Sequence, residues 1–144
     1  AGVVTTFAGT SVTSGTTDAT GTTARFSGPE GLSFDSSGNL LVVDSNNWTI
    51  RKITTSAVVT TLAGNSSSFG TTDGTGTAAK FWLPTGVVAD SAGNLFVTDT
   101  SNHTIRKITS AGVVTTFVGT AGNLGSSDGT GTSASFRYPC RTLS

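Results

Sequence analysis

The sequence predicts an all-β chain built from copies of one four-stranded antiparallel meander, and three observations carry the prediction. Its prolines, Pro29, Pro84 and Pro139, lie 55 residues apart, and the same offset aligns Phe26, Phe81 and Phe136. Laying residues 1–55 on residues 56–110 gives 32 identities in 55 positions, so one unit has been copied. Within a unit, short apolar and β-branched runs alternate with clusters of Asp, Ser, Gly and Asn, the pattern of strands separated by tight turns.

The strands follow in order. In the first complete unit they are expected at Gly31–Phe34, Leu40–Val43, Thr49–Thr54 and Val58–Leu62, with Asp35-Ser36-Ser37-Gly38-Asn39 and Asp44-Ser45-Asn46-Asn47 as turns. The second unit repeats them at Gly86–Ala89, Leu95–Thr98, Thr104–Thr109 and Val113–Phe117. Turns of two to five residues make neighbours antiparallel. Leu40–Val43 is apolar throughout, as a strand covered on both faces would be. The joins are long: between Gly64 and Leu83 the chain is mostly Ser, Thr and Gly, ending in Ala78-Ala79-Lys80-Phe81, where one helical turn anchored by Phe81 is expected.

A meander of this kind cannot bury both faces alone. In Thr49–Thr54, Ile50 points one way and Arg51 with Ile53 the other, so units must stack on copies of themselves. Radial stacking gives a β-propeller and linear stacking a solenoid; the long join favours the propeller, since it must carry the chain from an outer strand to the next inner one. The reading is thus a partial β-propeller of about 2.6 repeats of 55 residues, its ring completed by other copies or by a longer chain. Residues 1–9 are assigned to the outer strand of an incomplete blade, 10–29 to an inter-blade loop, 30–64 to a complete blade, 65–84 to a loop, 85–119 to a second complete blade, and 120–144 to a loop and the start of the next blade.

Composition excludes several functions. Of 144 residues, 29 are Thr, 19 Ser and 19 Gly, and 11% are charged against about 25% in ordinary domains. Eight bases balance eight acids, so no basic surface for nucleic acid is expected. No run approaches the roughly 20 apolar residues of a membrane span. One His and one Cys supply neither a zinc module nor a disulfide framework. No metal and no cofactor is expected.

The run Gly31-Leu32-Ser33-Phe34-Asp35-Ser36-Ser37-Gly38-Asn39-Leu40-Leu41-Val42-Val43-Asp44-Ser45-Asn46-Asn47, followed by Thr49-Ile50-Arg51-Lys52-Ile53, resembles an NHL repeat. The second copy, from Gly86 through Asn102-His103-Thr104-Ile105-Arg106-Lys107-Ile108, resembles it more closely. The resemblance implies a propeller, often six-bladed, used for protein interaction, RNA binding, ligand sensing or scaffolding, with lyases and lactonases among the relatives. It does not choose among these.

Candidate site residues are few. Asp44 with Arg51, and Asp99 with Arg106, recur in register and are read as bidentate, partly buried structural charge pairs, because a role repeated in every copy belongs to architecture. Asp18, Asp73 and Asp128 each bring a single carboxylate to a loop, too few for calcium, and are expected to cap the helical turn. His103, aligned with Trp48, reads as a surface turn residue. Trp82, matched by Ser27 and Arg137, reads as a gap filler between units. Cys140 is left with an interchain disulfide or a free thiol. Asn47, Asn65 and Asn102 head glycosylation sequons; the first and last fall on the same turn of successive blades.

These readings converge on a non-enzymatic extracellular or cell-surface structural and interaction protein, glycosylated and part of a fibre or appendage. Its partners would be other copies of itself or further repeats of a longer chain, and glycans. The alternative is a propeller binding module for a small ligand, glycan or peptide, with Glu30, Trp48, Trp82 and His103 as unmatched candidates. A lyase- or lactonase-like enzyme comes third, because one His cannot furnish converging metal ligands.

Overall fold

A computed structural model of the chain describes residues 2–140. It is all-β apart from short 3-10 turns. Strands β1 (Pro29–Phe34), β2 (Leu40–Asp44), β3 (Thr49–Ile53) and β4 (Val59–Gly64) form one antiparallel meander in the order β1-β2-β3-β4. The second sheet contains β5 (Gly74–Thr75), β6 (Pro84–Ala89), β7 (Leu95–Asp99), β8 (Thr104–Ile108) and β9 (Val113–Val118), ordered β5-β9-β8-β7-β6. No helix is long and apolar enough to cross a membrane among the described residues.

Turn chemistry sets the register. Asp35 Oδ1 accepts the backbone N–H groups of Ser37 and Asn39, both at 2.9 Å, while Gly38 takes the left-handed φ of 78° that closes the β1–β2 turn. Asp90, Ala92, Asn94 and Gly93 repeat the device before β7. Between β3 and β4 the ladder slips by one residue after the Ile50–Ala63 pair, and the β8–β9 ladder slips in the same place. Such a bulge re-aims side chains, and the residues that follow it are Arg51 and Arg106.

The long join has structure of its own. Gly74 and Thr75 pair with Val114 and Val113, adding a short fifth strand to the outer edge of the following blade. Thr20 bridges Val58 at the equivalent place on the first blade. The loop therefore covers an edge that would otherwise present unpaired backbone groups. The helical turn expected over Ala78–Phe81 lies upstream, at Gly76–Ala78, because Gly76 takes φ of 57° and turns the chain there. Strand β1 begins at Pro29, one residue inside the expected loop. Residues 2–9, expected as an outer strand, form no strand ladder, since no inner strand of their own blade lies beside them among the described residues.

The main core lies between the two blades. Leu41, Val43, Ile50 and Ala63 from the first sheet meet Val87, Leu95, Val97, Ile108 and Val114 from the second, with Phe81 buried among them. A Phe→Ala truncation at such a site costs about 3–5 kcal/mol. The inner strands β1 and β6 approach backbone to backbone: a Cβ on Gly31 would lie 2.5 Å from the Thr85 carbonyl oxygen. Glycine is required there for the blades to touch.

Candidate functional site

Each blade holds one buried guanidinium. Arg51 reaches Asp44 Oδ2 through Nη1 at 2.8 Å and Asp18 Oδ1 through Nη2 at 2.6 Å. It also donates to the carbonyls of Arg25 and Thr17, and its guanidinium carbon lies over the Phe26 ring, 5.0 Å from the centroid. Arg106 repeats every contact with Asp99 (3.0 Å), Asp73 (2.6 Å), Lys80, Thr72 and Phe81. The sequence pointed to a bidentate Arg–Asp pair. The geometry instead forks each Arg between two carboxylates, one from its own sheet and one from the preceding loop. Asp18 and Asp73 accordingly cap no turn: Thr20 and Thr75 occupy the cap positions without a side-chain bond, and the carboxylates accept from Thr61 and Thr116 besides the Arg. The unit is a clip that fastens the loop to the blade it enters.

The inner carboxylates are fully engaged. Asp44 accepts from Ser27 N, Asn47 Nδ2 and Arg51, and Asp99 accepts from Trp82 N, Asn102 Nδ2 and Arg106. Burial pushes the Asp99 carboxyl above the ordinary aspartate range, against those three donors. In each Arg, Nε is buried and finds no partner among the described residues.

These networks argue against two of the three glycosylation candidates. Asn47 and Asn102 are buried, and each Nδ2 spends its hydrogens on a carboxylate and on a loop carbonyl, Gly15 or Gly70, at 2.7–2.8 Å. A sugar on that nitrogen would displace the clip. Asn65 uses only Oδ1, accepting from Ser67 N at 2.9 Å. His103, expected on the surface, is buried: its Nδ1 accepts the Tyr138 N–H at 3.3 Å and the two rings meet edge to face. Trp48 and His103 both sit in the left-handed region, at φ 55° and 60°, where bulky residues are rare. Cys140 and Glu30 are exposed. Among the described residues no three His, Cys, Asp or Glu side chains gather as a metal site requires.

Two surfaces remain. One is a blade face. Leu32 is 64% exposed, whereas its repeat counterpart Val87 is 2% exposed under the first blade. Phe34 is also exposed, and Phe7, Phe26, Leu40, Val42 and Ile53 line an apolar hollow on the same side. The other is an aromatic cluster where the first blade's β2–β3 turn meets the inter-blade loop. Phe69 stacks on Trp82 with centroids 4.9 Å apart and meets Trp48 edge to face at 5.3 Å. Unequal copies flagged both tryptophans in the sequence. Phe69 was missed, although Ser14 and Leu124 at its aligned positions carry the same signal.

The family model of the NHL repeat matches residues 26–53 and 81–108. No curated protein matches the chain. A solved structure from Bacteroides thetaiotaomicron, of unknown function, has TM-score 0.68 and 28% identity over 72% of this chain and 26% of that one. Two auxiliary nutrient binding proteins, from Bacteroides ovatus and Bacteroides thetaiotaomicron, have TM-scores of 0.69 and 0.67 and identities of 22% and 25%. They are matched over 84% and 76% of this chain and 33% and 31% of their own. The chain thus spans between a quarter and a third of the length of these structures. The two family matches fall one on each meander, so the chain carries two NHL repeats, each built into one of two consecutive blades of a partial β-propeller.

Proposed function

We propose that the chain is a non-enzymatic scaffold and interaction module whose open blade faces are covered by further blades of the same repeat, from other copies or from a longer chain. The contrast between exposed Leu32 and covered Val87 carries this reading, because the two positions are equivalent and differ in whether a preceding blade lies against them. An apolar sheet face left in water favours association. The carboxylates of Asp44 and Asp99 and the imidazole of His103 are engaged in packing contacts, which supports a binding rather than a catalytic role. A similar structure at 25% identity is an auxiliary nutrient binding protein, in keeping with binding. In its fuller form the reading is an extracellular fibre or appendage protein with Asn65 as the accessible glycan acceptor and Cys140 available to a second chain.

Sedimentation of the 144-residue chain over a range of concentrations tests this. Concentration-dependent association is expected, and Leu32→Asp with Phe34→Asp should abolish it while leaving the far-UV circular dichroism unchanged. A wild-type chain that stays monomeric at every concentration and binds no hydrophobic dye would refute the open-face reading.

A further inference from the structure

The aromatic cluster is a place where this chain departs from its own repeat. At the aligned positions Trp48 meets His103, Phe69 meets Ser14 and Leu124, and Trp82 meets Ser27 and Arg137. Three residues from three separate segments, none of them required by the blade, converge on one spot. Packing alone does not explain them, since Phe69 and Trp82 remain 51% and 41% exposed. Beside them opens a cleft of about 350 Å³ between the loop at Phe69–Thr71, the 3-10 turn at Thr100–Asn102 and residues Ala121 and Gly122. That lies within the roughly 300–1,000 Å³ of small-ligand sites.

The platform is held rigidly. The Trp82 N–H donates to the buried Asp99 carboxylate at 2.8 Å, and its carbonyl accepts the Ser101 N–H at 3.1 Å. Next to Phe69, Gly70 donates to the Phe81 carbonyl at 3.1 Å and accepts from Asn102 Nδ2 at 2.7 Å. Both rings are therefore carried on backbone fixed by the Arg–Asp clip, the preorganisation a binding site needs.

We infer that this cleft binds a neutral carbohydrate, a pyranose ring packing against the outer side of the Trp82–Phe69 stack, which the rings leave uncovered. The lining decides the class. It holds no Asp, Glu, Lys, Arg or His, so it suits neither a charged ligand nor a phosphate. It offers aromatic faces together with the hydroxyl-bearing residues Thr71 and Ser101. A pyranose has the matching surface, with a face of C–H groups for an aromatic ring and equatorial hydroxyls at its rim for polar neighbours. The inference is independent of blade stacking, because the cleft is formed within one chain and shares no lining residue with the open face around Leu32.

Both tryptophans of the chain belong to this cluster, so intrinsic fluorescence reports on the site directly. The chain is titrated with maltohexaose, cellohexaose and xylohexaose, and separately with a proline-decamer peptide. A saturable emission shift with at least one hexaose, unaffected by salt, is expected, since a neutral ligand is not screened. Trp82→Ala should weaken that binding about tenfold or more, the scale of one lost aromatic contact with its buried area, and Trp82→Phe should retain most of it. Phe69→Ala, at an exposed position, serves as a second variant, with urea unfolding to verify that each is folded. No saturable shift with any hexaose overturns the proposal. So does a shift with the proline peptide alone, which would assign the platform to peptides, and so does hexaose binding that survives both alanine variants.

Discussion

Two carboxylates hold the Arg106 guanidinium, and they should differ sharply in worth. Asp73 is the nearer, at 2.6 Å against 3.0 Å for Asp99, so distance alone ranks Asp73 first. Burial reverses the order, because the Asp99 side chain is 0% exposed and that of Asp73 is 49% exposed. A pair of unit charges about 4 Å apart attracts by about 1 kcal/mol in water and about 4 kcal/mol at an effective dielectric of about 20. Burial also raises the Asp99 pKa, so desolvation offsets much of that attraction. The cost of Asp99→Ala therefore comes chiefly from the groups it strands: the buried guanidinium, the Asn102 amide and the Trp82 N–H. Breaking a buried pair in this way costs about 3–5 kcal/mol, a large share of the roughly 5–15 kcal/mol of a whole domain. Asp73→Ala should cost about 1 kcal/mol or less, since water can replace an exposed partner. Equilibrium urea unfolding with an unchanged m value measures both. A loss for Asp73→Ala that equals or exceeds the loss for Asp99→Ala would show that distance, and not burial, governs the clip.

Three further outcomes are expected. Partial burial opposes ionisation of Asp35, but hydrogen bonds from Asn39, Lys52 and Ser37 bring its pKa from 3.8 down to about 2. Its carboxylate thus contributes stability that is full above pH 3.8 and lost as pH falls through about 2, and the gap in melting temperature between wild type and Asp35→Asn should narrow over that window. Gly31→Ala would set a methyl 2.5 Å from the Thr85 oxygen and 2.9 Å from Gly86 Cα; forcing the inner strands apart should cost about 1–3 kcal/mol in the same urea assay, and a neutral result would mean that the blades are not in contact there. When the chain is expressed through a eukaryotic secretory route, peptide mapping should find any N-linked sugar on Asn65, with Asn47 and Asn102 bare.

The blades were legible in the sequence because repetition and turn chemistry are local signals. Asp35, Gly38 and Asn39 announce the first turn, and an offset of 55 finds its twin at Asp90, Gly93 and Asn94. The charge units were half legible. Asp44 with Arg51 is a neighbouring-strand relation, but Asp18 lies 33 residues away from Arg51, and no spacing rule joins a loop carboxylate to a strand that far along the chain. His103 was misplaced for a related reason: its hydrogen-bond and ring partner is Tyr138, 35 residues downstream and from the next join. Sequons say least about access, since Asn-x-Thr records a chemical possibility while burial governs reach. At Asn47 and Asn102 the same asparagine that satisfies the sequon also completes the clip.

The repeat also explains how a site can arise within it. Ser27 and Trp82 occupy the same position, and each gives its N–H to the buried aspartate of its blade, at 2.6 Å to Asp44 and 2.8 Å to Asp99. The blade thus fixes the backbone here through a bond that asks nothing of the side chain. Position 48 works similarly: Trp48 and His103 share a left-handed conformation and a backbone N–H bond to the carbonyl three residues back, yet carry different rings. Such positions are held as firmly as the core while remaining free to vary, which is the combination recognition requires. Identity between the copies therefore marks the clip and the turns, and difference at a clip-fixed backbone marks where a ligand would be met.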